Sequence, residues 1–68
     1  MSDPKQWNLW KVLKRRRITI GDLAEMTSYS RVHLQRVKAG TRGASKGLRA
    51  SIALALNMPV DFLFSQED

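Results

Sequence analysis

Thr19-Ile20-Gly21-Asp22-Leu23-Ala24-Glu25-Met26-Thr27-Ser28-Tyr29-Ser30-Arg31-Val32-His33-Leu34-Gln35-Arg36-Val37-Lys38-Ala39-Gly40 is the stretch on which the fold turns. It holds two sets of helix punctuation with almost no room between them. Thr19 is a good N-cap, and Asp22 three residues later completes a variant of the capping box. Ile18 before the cap and Leu23 after it are placed for a hydrophobic staple. Leu23, Ala24 and Thr27 mark the buried side of a short helix ending near Thr27. Ser28-Tyr29-Ser30 leaves space for a turn and nothing more. Ser30 then caps a helix from about Arg31 to Ala39, apolar at Val32, Leu34 and Val37, with Gly40 as its stop.

Working outward, the same punctuation recurs. Asp3 as N-cap and Pro4 at the first helical position open a helix that carries Leu9, Trp10, Val12 and Leu13 and closes near Arg16. Its cationic last turn suits the helix dipole. After a Gly-containing loop from Thr41 to Ala44, Ser45 caps a helix from about Lys46 to Leu56, buried along Leu48, Ile52, Ala53 and Leu56. Asn57 suits a left-handed C-terminal position. Pro59 starts a last short helix with Val60, Phe62, Leu63 and Phe64, and Ser65 to Asp68 reads as a frayed tail. No period-2 alternation and no Asn-Gly or Asp-Gly hairpin is present. The expected fold is all-α, a compact bundle of five short helices forming a single domain over residues 1–68.

Composition narrows the function. The chain has 68 residues, with 12 Lys and Arg against 6 Asp and Glu, a net charge of +6 and no Cys. At this size about 60% of the unfolded surface is buried, which leaves no room for a deep catalytic cleft beside the core. Without Cys there is neither a disulfide framework nor a Cys-based zinc site, and one His makes no metal site alone. No catalytic residues, metal or cofactor are expected. The longest uncharged run, Ala50 to Val60, is too short to span a membrane, and the first residues lack the pattern of a signal peptide. An apolar content of 43% argues against disorder.

The placement of charge says more than its total. Between Met26 and Val60 there is no acid, while Arg31, Arg36, Lys38, Arg42, Lys46 and Arg49 all fall there. Four acids, Asp3, Asp61, Glu67 and Asp68, lie near the two ends. Cations without local counter-charges call for an external polyanion, and phosphate neutralisation makes nucleic acid the first candidate. A membrane surface fits less well, because no basic amphipathic helix of that kind is present.

Two short helices joined by a tight turn at about residues 20–38 need a small residue where they cross, and Ala24 supplies it. The second helix keeps Leu34 and Val37 inward and Arg31, Gln35 and Lys38 outward, with His33 and Arg36 on the flanks. A helix so patterned can enter a major groove. From Leu23 to Gly40 the sequence resembles the helix-turn-helix of the lambda-repressor/Cro (Xre-like) family, and the likeness runs from Leu9 to Leu63, through the closing Leu56-Asn57-Met58-Pro59-Val60-Asp61-Phe62-Leu63. There are departures. Ser28 stands where the family usually has Gly, and Thr27 where it usually has an aliphatic. Leu13 and Lys38 stand where it often pairs an Arg with a Glu.

The resemblance implies a lambda-repressor-like domain that binds double-stranded DNA. Arg31, Val32, Gln35 and Arg36 are expected to contact bases. Arg clasps guanine, Gln pairs with adenine, and an apolar side chain meets the thymine methyl. A phosphate contact is the alternative role for Arg31 and Arg36, a solvent or phosphate role for Gln35, and partly buried packing for Val32; Lys38 is open between phosphate and solvent. Thr19, Ser30, Lys38, Thr41, Arg42 and Lys46 are expected to contact phosphates, with the N–H groups of the second helix beside Thr19. Lys14 to Arg17 reads as a solvated helix end with long-range steering value, His33 as structural, and Trp7 and Trp10 as core or interface. Phe62 and Phe64 are too much apolar surface for the end of so small a chain to bury alone, and at least one is expected in a dimer interface. The whole suggests a small Cro-like repressor of bacterial or phage origin, cytoplasmic and dimeric, on a pseudo-palindromic operator, with no small-molecule substrate. An antitoxin-like or anti-repressor module that binds a protein is the rival.

Overall fold

A computed structural model describes residues 3–66. Among these, five α-helices form an all-α globule: α1 (Asn8–Arg16), α2 (Ile20–Thr27), α3 (Arg31–Ala39), α4 (Lys46–Leu56) and α5 (Val60–Leu63), preceded by a 3-10 turn at Pro4–Gln6. No helix among the described residues is long and apolar enough to cross a membrane.

The helix starts are made by side chains. Thr19, Ser30 and Ser45 each accept a bond from the backbone N–H three residues on, at 3.0, 3.0 and 3.1 Å. At α2 the box is closed in both directions, because Asp22 also accepts from the Thr19 N–H at 3.1 Å. The ends are made by left-handed residues: Arg17, Ser28, Gly40 and Asn57. At three of them the next residue reaches back to form the 6→1 bond of a Schellman motif: Ile18 to Leu13 (2.8 Å), Thr41 to Arg36 (3.0 Å) and Met58 to Ala53 (3.1 Å). Ser28 (φ 64°) lies in the turn between α2 and α3, where a side chain costs more than glycine would.

Packing follows the apolar spacing. Leu9, Leu23, Leu34, Val37, Leu48, Ile52, Leu56 and Leu63 are fully buried, and each contributes about 1.5–3 kcal/mol of transfer free energy. α2 lies against α3 and α4, α5 against α1 and α4, and the 3-10 turn against α3. Thr27 is buried because its hydroxyl donates to the Leu23 carbonyl at 2.8 Å, which leaves its methyl to pack.

Three expectations change. The first helix is divided: Asp3 and Pro4 open the 3-10 turn, and Trp7, extended at ψ 144°, separates it from α1. The break lets the Trp7–Asn8 backbone meet the chain's far end, where the Asn8 N–H donates to the Ser65 carbonyl at 2.8 Å and Trp7 pairs with Gln66. The tail is therefore held at Ser65 and Gln66; Glu67 and Asp68 lie outside the described residues. The buried Asn8 amide adds a bond to the Phe62 carbonyl at 2.9 Å. Phe64 is buried too, edge-on to Trp7 with centroids 4.9 Å apart, and is closed to any partner. The dimer expectation is left to Phe62, which is 39% exposed.

Candidate nucleic-acid interface

α3 presents its polar side outward because Leu34 and Val37 take its inner edge. Arg31, Val32, Gln35, Arg36 and Lys38 are all exposed. Val32 is 55% exposed, an apolar group in the first turn with water on it. His33 is half-buried and stacks on Tyr29, with centroids 5.7 Å apart, so it braces the turn from the α3 side.

Arg31 is folded back onto α2. Its guanidinium lies over Gly21, so close that a Cβ added there would stand 3.1 Å from Nη2 and 3.4 Å from Nε. Gly21 thus keeps open the seat on which this cation rests. Lys38 sits with Nζ 5.7 Å from the centre of the Trp10 ring, a cation–π contact that ties the outer side of α3 to α1.

The other expected contact residues are exposed but differ in what they have free. The Thr19 and Ser30 hydroxyls serve as helix caps, and the Thr41 hydroxyl donates to the Arg36 carbonyl at 3.2 Å. Arg42, in the loop after α3, and Lys46, at the start of α4, are exposed. Asp22 is the acid at the head of α2. Its carboxyl is held below the usual 3.8 by the Thr19 backbone N–H and, to a smaller extent, by the Thr19 side chain.

Two cations of the basic stretches are engaged by the chain itself, Arg49 half-buried and Arg16 still exposed. Arg49 lies over the rings of Trp7 (5.6 Å) and Phe64 (5.3 Å) and donates from Nε to the Ala44 carbonyl at 3.2 Å. Arg16, expected as part of a solvated helix end, donates to the Leu56 carbonyl at 2.8 Å and so caps the last turn of α4. The role of Arg16 was not legible locally, because Arg16 and Leu56 are 40 residues apart.

No known family model matches the chain, and comparison with curated proteins returns no significant relative.

Proposed function

We propose that the chain is a sequence-specific regulator that binds double-stranded DNA through α3, with α2 and α3 acting as a helix-turn-helix of the lambda-repressor/Cro kind. The observation that carries this reading is the outer side of α3. It combines two arginines, a glutamine, a lysine and an exposed valine, with no acid, beside a tightly capped α2. Arg31, Val32, Gln35 and Arg36 are the base-contacting set. Thr19, Ser30, Lys38, Thr41, Arg42 and Lys46 track the backbone.

The regulator works as a homodimer, which favours a pseudo-palindrome with half-sites about 34 Å apart. Phe62, with Leu54 at 83% exposure on α4, supplies apolar surface for the second copy. The proposed role is occupancy of a promoter by a non-enzymatic, cytoplasmic repressor of bacterial or phage origin.

Selection of bound duplexes from a random pool tests this. An enriched palindrome is the expected result. An unenriched pool with measurable affinity points to non-specific packaging, and no duplex binding together with a co-purifying acidic protein points to the antitoxin-like or anti-repressor role.

A further inference from the structure

Trp10 organises more of the surface than its place on α1 suggests. Its indole N–H donates to the Pro4 carbonyl, which holds the 3-10 turn carrying Lys5, while its ring carries the Lys38 ammonium of α3. One side chain therefore links three elements and positions two cations. Its ring lines one hollow of about 410 Å³, and a second of about the same volume adjoins it across Ile20 and Lys38, which line both. One is edged by Lys11, Lys14 and Thr19, with Trp10, Leu13 and Ile18 among its apolar lining. The other is edged by Lys5, Gln35 and Ala39. The acids on the surrounding elements are Asp3, Asp22 and Glu25. Asp3 accepts from the Lys5 backbone N–H at 3.0 Å, and Asp22 accepts from Thr19.

The groove made by these two adjoining hollows thus has lysine edges and an apolar floor. A sugar–phosphate backbone has the matching alternation of anionic phosphates and less polar sugars. The groove also reaches Gln35, Lys38 and Ala39 of α3, so it is continuous with the proposed DNA face. We infer that it is a phosphate track: Lys5, Lys11 and Lys14 hold a strand backbone of the same duplex that α3 reads, and Trp10 keeps the track in shape. This inference rests on the DNA-binding reading and adds three contacts to it.

Counterion release gives the readout, because each phosphate contact adds about 0.9 to the slope of log affinity against log salt. The chain is titrated into a labelled random duplex and a labelled selected duplex by fluorescence anisotropy across a salt series. Lys5→Gln, which keeps most of the stem beside Gly40, and Lys14→Ala are each expected to lower the slope by about one. That corresponds to roughly 3.5-fold less loss of affinity between about 50 and 200 mM salt. Arg15→Ala, on the same helix but not lining the groove, lowers the slope by well under half as much as either lysine variant, and circular dichroism confirms folding of each variant. Wild-type slopes in both lysine variants, with DNA binding intact, overturn the track and leave the DNA reading standing. No duplex binding by the wild type overturns both. Tight binding of poly-glutamate with the same lysine dependence and no duplex binding assigns the groove to an acidic protein instead.

Discussion

Helices α3 and α4 are built alike at both ends and differently between them. Each opens on a serine whose hydroxyl takes the N–H three residues on, and each closes in a Schellman motif around a left-handed residue, Gly40 or Asn57. Yet α3 buries only Leu34 and Val37, whereas α4 buries Leu48, Ile52, Ala53 and Leu56. The exposed side of α3 is mostly cationic and amide. That of α4 includes Ala50 and Leu54. Capping makes the helix; the residues between the caps decide whether it serves the core or faces a partner.

The largest effects test the half the two helices share. Leu34→Ala and Ile52→Ala should each cost about 2–5 kcal/mol in urea unfolding, since both leave cavities in one core. For a domain of this size that is a large part of the total stability. Gln35→Ala should stay within about 0.5 kcal/mol of wild-type stability. A harmless Leu34→Ala would break the view that α3 is anchored as α4 is.

Next come the effects that separate the helices. Gln35→Ala should cost about 1–3 kcal/mol on the selected duplex and relax one base position. Arg42→Ala should weaken selected and random duplexes alike and lower the salt slope by about one. Ala50→Ser on α4 should change neither affinity. Equal losses on selected and random DNA for Gln35→Ala would remove its reading role.

The caps return the two helices to parity. Ser30→Ala and Ser45→Ala should each cost about 1 kcal/mol, read as matching shifts in the urea midpoint. Gly21→Ala should divide stability from binding. Alanine gains about 0.5–1 kcal/mol over glycine within a helix. Its methyl would stand 3.1 Å from the Arg31 guanidinium, which must give by a few tenths of an ångström, so a gain in the urea midpoint with duplex affinity little changed in anisotropy titrations is the expected result.

The smallest effect concerns pH. Asp22 has a lowered pKa in the folded chain, so its share of stability is present above the ordinary value of 3.8 and is lost as pH falls through the lowered value. Asp22→Asn should flatten that part of an acid-unfolding curve.

Helix boundaries were legible in the sequence because caps are local chemistry: Thr19, Ser30, Ser45, Gly40 and Asn57 act on backbone groups within a few residues of themselves. The division of the first helix was not, because it depends on Asn8 meeting Ser65 and on Trp10 holding Pro4. Phe64 looked surplus because its partners, Trp7 and Arg49, are far away in sequence. At the candidate site, the exposed residues of α3 follow from its period. The folding of Arg31 onto Gly21, the retention of Arg49 by aromatic rings and the Lys5–Trp10–Lys38 arrangement depend on tertiary placement, and no local pattern marks them.

Under the proposed function α3 faces the duplex, and of α4 only its first residue, Lys46, does. Titration of the nitrogen-15-labelled chain with a selected duplex, followed by amide chemical shifts, tests it most directly. The largest shifts are expected at Arg31 to Lys38 and through the Thr41 to Lys46 segment, with Ala50 to Ala53 of α4 little changed. Shifts centred on Ala50 to Ala53, with the α3 amides unmoved, would contradict it.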